Sequence, residues 1–258
     1  MMRLRTEWQA EQQPLDQEFA RRERKPYLTA RAGDLSLRAW RGSWERVDYD
    51  EEGSISFSVR SIDFLIEDRT RPIAGGLLKV WRCTDGCGFV DEFRLCADEY
   101  SKADYDASEV VYAAWPHGLV ADSPFTHGDL VIFDRLRIEV TSAVLSRAAW
   151  SLIAKVIDPF RNKKSRTRGS VLLLKAFPLE FEGIKSGQPF EHRRDAMVRL
   201  YQRRLGVSPL PTKDGREGWL WARLAHSPDP VASTHRGNSR GHSVPITAPV
   251  NRPGKPQF

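Results

Sequence analysis

The chain has 258 residues and a formal net charge of +6, with a pI near 9.3. Hydrophobic residues make up 40% and charged residues 29%, the balance of a globular protein and not of a disordered or fibrous one. No apolar run approaches the roughly 20 residues that span a bilayer, and the early charge of MMRLRTEWQAEQQ leaves no room for a secretory signal, so a cytoplasmic protein without membrane contact is expected.

Residues 1–30 mix Arg, Glu and Gln, and Trp8, Leu15 and Phe19 fall at helical spacing. This predicts an N-terminal helical extension over residues 1–34, packed on the main domain or on a second copy in a homodimer, with the helix stopped at Pro26. From about Leu35 the pattern changes to strands. Ser54–Ile66 alternates, with Ile55, Phe57 and Val59 on one side, and Asp50–Gly53 before it reads as a turn. Ile73–Asp85 reads as the next strand, and Gly75-Gly76 marks a bulge in it. GFVDEFRL is expected to pair with that strand through a turn at Thr84–Gly86. The three cysteines, Cys83, Cys87 and Cys96, make no disulfide framework. A tetrahedral metal site needs about four ligands and only C-x3-C is present, so no metal is expected.

A helix is predicted over Asp98–Trp115, with Asp98, Glu99 and Asp104 near the positive end of its dipole and Pro116-His117-Gly118 stopping it. Leu130–Val140 reads as a strand. Ser142 is placed to cap the helix that follows, whose apolar positions from Val144 to Ile157 form one stripe ended by Asp158-Pro159. Five cations, Arg161, Lys163, Lys164, Arg166 and Arg168, crowd the next loop. SVLLLKAF is nearly all apolar, as a strand buried on both faces reads. A helix over Arg193–Leu205 ends at Gly206, and GWLWARL is the last strand. Residues 226–258 are rich in Pro, Ser, Gly and Arg and are read as a disordered basic tail.

Within this strand-helix-strand-helix-strand order stand three phrases, IFDRLRIEV (Ile132–Val140), LLLKAFPLEFEG (Leu172–Gly183) and LYQRRLGV (Leu200–Val207). Over about residues 55–224 the chain resembles a GCN5-related N-acetyltransferase (GNAT) domain. It is similar to a bacterial branch whose strand reads I-D-R-[LV]-x-V and which carries a K-P-F-P-L-Q-F-E phrase. The resemblance implies an α/β domain over residues 35–225 with a GNAT-like mixed central sheet flanked by helices. It also implies acetyl-CoA as acyl donor and an unidentified amine-bearing acceptor. In that family the acyl donor lies in a gap beside a splayed central strand. A Gly-rich loop and a helix N-terminus hold its pyrophosphate. By resemblance the strand end at Ile138 and Val140 and the segment Leu145, Ser146, Arg147 and Ala148 would hold the cofactor, the loop falling at Leu145–Trp150. No glycine occurs from Asp129 to Arg168, so this loop has diverged. Ser146 and Arg147 offer side chains in place of bare backbone, while Trp150 adds bulk.

The family's tyrosine, which protonates the departing thiolate, stands four residues before the helix-ending glycine. That position here is Gln202, with Tyr201 one place away, a rotation of about 100 degrees on a helix. Tyr201 is the candidate acid, and Glu139 or His127 the candidate base. Asp134 and Arg135 read first as an ion pair. His117 and His127 read first as solvated loop residues. No G-x-S-x-G, H-E-x-x-H or phosphate-loop motif is present. The alternative is an inactive scaffold that binds a protein or nucleic acid through its N-terminal helix and the basic loop, Arg161, Lys163, Lys164, Arg166 and Arg168.

Overall fold

The computed structural model describes residues 25–48, 56–69, 71–84, 90–115, 123–126, 128–140, 142–161, 169–177 and 187–224. The segment expected to form an N-terminal helix, residues 225–258, His117, His127, Cys87 and the basic residues Lys163, Lys164, Arg166 and Arg168 lie outside them.

The strands are β1 (Leu28–Ala32), β2 (Leu35–Arg41), β3 (Glu45–Asp48), β4 (Ser56–Asp68), β5 (Arg71–Cys83), β6 (Leu130–Ile138), β7 (Val171–Lys175), β8 (Ser208–Pro209) and β9 (Trp219–Arg223). The helices are α1 (Val90–Tyr100), α2 (Lys102–Ala114), α3 (Ala143–Ile157), α4 (Gln188–Leu205) and the short α5 (Lys213–Arg216). The strands form one sheet in the order β1-β2-β4-β5-β6-β7-β9-β8, with β3 also on β4. The pair β6 and β7 is parallel and the other pairs are antiparallel, so the sheet is mixed.

Alternation along the central strands feeds two cores. Val131 and Phe133 of β6 and Leu172 and Leu174 of β7 join a core closed by α3 and α4. Leu130, Ile132, Val171 and Leu173 point the other way, into a core closed by α1 and α2. The two central strands are thus buried on both sides, as the apolar run SVLLLKAF predicts. On α3 the stripe Ala149, Trp150, Leu152, Ile153, Val156 and Ile157 is the buried face.

Several expectations change. The sheet begins at Leu28, inside the segment assigned to the N-terminal extension, because Leu28–Ala32 pairs with Leu35–Ala39 around Gly33, whose φ of +60° suits the tight turn. GFVDEFRL does not pair with β5. Its described part opens α1, where Phe93, Cys96 and Ala97 recur at helical spacing and are buried, with Asp91 and Glu92 in the first turn. The helix expected over Asp98–Trp115 is α1 followed by α2, broken at Ser101, whose hydroxyl accepts from the Asp104 amide and caps α2. The last helix starts at Gln188 with Pro189 in its first turn and ends at Gly206, left-handed at φ 70°.

Candidate functional site

The parallel pairing of β6 with β7 runs from Leu130–Val171 to Phe133–Leu174 and stops. Both strands continue, each held only by its outer neighbour. Beyond Phe133, β6 pairs with β5 through Arg135, Leu136, Arg137 and Ile138. Beyond Leu174, β7 pairs with β9, and the Ala176 amide donates to the Gly218 carbonyl at 2.8 Å. The inner edges separate and leave a cleft.

A β-bulge on β6 shapes that cleft. Leu78 faces Phe133 and Leu77 faces Arg135, so Asp134 is the extra residue. The bulge reverses the strand's alternation: Val131 and Phe133 reach the α3 core before it, and Leu136 and Ile138 after it. It reverses the backbone as well. The Glu139 amide donates to the Ile73 carbonyl at 2.7 Å, so antiparallel alternation turns the backbone groups of Arg137 and Arg135 toward β5. Those of Leu136 and Ile138 then face the cleft, where β7 no longer pairs with them. Gly76 admits the bulge, since a Cβ there would stand 2.6 Å from the Arg135 carbonyl oxygen and 2.7 Å from the Phe64 ring.

The cleft is lined by the bulge residues Asp134 and Arg135, by Leu136, by Ala103 and Asp106 of α2, by Lys175 and Phe177 after β7, and by Tyr201 of α4. Its volume is about 220 Å³. Pockets that enclose a whole drug-sized ligand run to about 300–1,000 Å³, and this one is smaller. Asp134 is half-buried and has no hydrogen-bond partner among the described residues. Among the described residues it forms no ion pair with Arg135, its neighbour along the strand. Asp106 meets Lys102 at 2.6 Å on the exposed side of α2.

Tyr201 is buried, lines the cleft, and stacks edge-on against Trp150 with ring centroids 6.0 Å apart. The one-residue offset from the expected position therefore does not turn it out of the cleft. Glu139 is elsewhere: it is exposed, is not among the cleft residues, and is held by the Arg137 guanidinium, whose Nε donates to it at 2.8 Å. Glu139 and Tyr201 are thus not brought together in the cleft. Asp134 is the residue the sequence left undervalued, and the signal was the switch in apolar parity between Phe133 and Leu136.

The expected cofactor segment also moves. Leu145, Ser146, Arg147 and Ala148 are not a loop; they lie inside α3, and the connection from β6 is residues 139–142. Leu145 and Ala148 pack on the core, Arg147 is exposed, and Trp150 is buried rather than crowding a loop. The Ser146 amide already donates to the Ser142 carbonyl at 2.9 Å, so it is not open to a ligand. The amides without helical acceptors are those of Ala143, Val144 and Leu145. Ser142 stands at the N-cap as expected, but its side chain makes no capping bond. Ile138 and Val140 are partly buried against the core, and of these two the Ile138 backbone faces the cleft. Arg161 follows α3 and lies 3.4 Å from Asp158.

Among the described residues no group of three His, Cys, Asp or Glu side chains converges on a metal position, and no helix is long and apolar enough to cross a membrane. Comparison with protein-family models, curated proteins and solved structures gives no match.

Proposed function

We propose that the protein is an acyl-CoA-dependent N-acyltransferase of GNAT type. The observation that carries this reading is the splayed parallel pair, in which the bulge turns the unpaired backbone of Leu136 into a cleft also lined by Tyr201 and Asp134. Acyl transfer to an amine needs an acyl carbonyl held on a hydrogen-bond donor, a proton acceptor for the amine and a proton donor for the leaving thiolate. The cleft offers one group for each need.

In this reading the Leu136 amide donates to the thioester oxygen. The amine nitrogen attacks the carbonyl carbon, the N–C bond forms and the C–S bond breaks. Asp134 takes the ammonium proton, in the place first given to Glu139, and Tyr201 gives its phenolic proton to the thiolate. Acetyl-CoA supplies the activated acyl group, and the three free amides at the start of α3 suit its pyrophosphate without the glycines of the usual loop. Ser146 has no backbone part in this, and Arg147 acts only through its exposed guanidinium.

Thiol release from acetyl-CoA in the presence of mixed primary amines tests the reading. Tyr201→Phe and Asp134→Asn are each expected to lower turnover by about 10²- to 10⁴-fold while the protein stays folded. Full turnover in both folded variants would remove these roles.

A further inference from the structure

Away from the cleft, three arginines stand on three adjacent strands: Arg41 at the end of β2, Arg60 on β4 and Arg82 on β5. Each stands two residues along its strand from a member of the α3-side core, Arg41 from Ala39, Arg60 from Ile62 and Arg82 from Val80, so all three share one face. Their guanidiniums lie on aromatic rings. That of Arg41 is 4.2 Å from the Tyr27 centroid, and those of Arg60 and Arg82 are 4.2 and 4.6 Å from the Trp44 centroid. One carboxylate serves the group: Asp129 accepts two bonds from Arg82, both 2.8 Å.

Arg41 and Arg60 have no carboxylate partner among the described residues, and the Arg60 Nε is buried without an acceptor. A buried donor left unpaired costs free energy, so the Arg60 guanidinium is held there by its packing on Trp44 and not by an acceptor in the protein. Burial, followed by repulsion from Arg41 and Arg82, pushes the Arg60 guanidinium below its ordinary range, and Asp129 opposes this only in part. An arginine remains charged at neutral pH, so the row keeps an uncompensated positive potential.

We propose that this arginine row binds the phosphodiester backbone of a nucleic acid. Guanidinium forks match phosphate oxygens in shape and charge. Neighbouring strands lie about 4.8 Å apart, and the register sets Arg41 opposite Ile62 and Arg82 opposite Ser58, so the row runs diagonally over about 17 Å, enough to meet successive phosphates of one strand. Arg41 and Arg82 are exposed, which leaves the surface open along its length, as a polymer requires and a single small anion does not. The faces of Tyr27 and Trp44 already carry guanidiniums, so bases find no free aromatic platform, and binding has no sequence preference. None of these residues lines the cleft, so the proposal stands apart from acyl transfer.

The test is fluorescence anisotropy of labelled single-stranded and duplex oligonucleotides across a salt series, with the full chain and with Arg41→Gln/Arg60→Gln. Arg82 is kept because its loss would strand Asp129. The full chain is expected to bind at about 50 mM salt, and the double variant at least tenfold more weakly. The slope of log affinity against log salt should fall by about 1.4–1.8, two contacts at roughly 0.7–0.9 each. Should the double variant fail to melt as a folded protein, exposed Arg41→Gln alone should lower the slope by about 0.7–0.9. Absence of binding by the full chain, or an unchanged affinity and slope in a folded variant, overturns the proposal. So does complete displacement of the oligonucleotide by inorganic pyrophosphate at equal phosphate concentration, which would assign a small phosphate ligand instead.

Discussion

At the scale of single residues, Asp104 is a buried carboxylate held by three side chains. Its side chain is 1% exposed and meets the Lys79 ammonium at 2.5 Å, the Trp81 indole N–H at 3.0 Å and the Ser101 hydroxyl. Lys79 also lies 5.4 Å from the Tyr100 ring centroid. Removing one partner of a buried pair strands the other, so Asp104→Ala should destabilise the fold by about 3–5 kcal/mol in denaturant unfolding. Asp48→Ala, which breaks the exposed pair with Arg46, should cost less than about 1 kcal/mol. Tyr100 makes a pH prediction. Burial, then the Glu45 carboxylate that accepts its phenol at 3.2 Å, pushes its pKa from 10.0 to about 12. The folded state holds the phenol proton more tightly than the unfolded state. Its contribution to stability is therefore whole below pH 10 and is lost as pH rises toward 12. Denaturant midpoints measured through that window should fall less steeply in Tyr100→Phe than in the parent. None of this network was legible in the sequence, because its members lie on β5 and α2 and meet only through the sheet. Tyr201 was legible as a candidate, but its direction was not, since a count of residues from Gly206 ignores the packing on Trp150.

At the scale of elements, the bulge on β6 decides most. Gly76→Ala would drive a methyl group into the Arg135 carbonyl and the Phe64 ring. A cost of about 1–3 kcal/mol is expected, as for overpacking, read from the shift in unfolding midpoint. The same variant should weaken any ligand that uses the Leu136 amide, because the bulge sets where that amide points. In the sequence Gly75-Gly76 reads as a bulge in its own strand; the extra residue, Asp134, lies on the strand beside it, and Gly76 is the neighbour that makes room for it. The apolar stripe of α3 and the double-sided β7 were plain, since both depend on local periodicity. What failed was local pattern overruled by context. Val90–Leu95 looks like a strand until Phe93, Cys96 and Ala97 are seen packing as one helical face. Leu28–Ala32 is partly exposed and carries little signal until β2 is there to pair with it. The expected cofactor loop was displaced because α3 starts at Ala143, earlier than a family spacing implies.

At the scale of the whole described domain, two helical layers close the two faces of one mixed sheet, and the sheet opens only where its single parallel pair ends. Fold by itself does not give function, and that opening is what the acyltransferase proposal rests on. In the proposed function this cleft receives the acyl end of acetyl-CoA. Ala103 lines the cleft from an exposed position on α2, where added bulk blocks the opening without entering either core. The most direct measurement is acetyl-CoA binding by isothermal titration calorimetry to the parent protein and to Ala103→Trp, with melting curves to show both folded. Acyl transfer in this cleft predicts micromolar binding by the parent and at least tenfold weaker binding by the variant. No binding by the parent, or equal affinity in the two proteins, would contradict it.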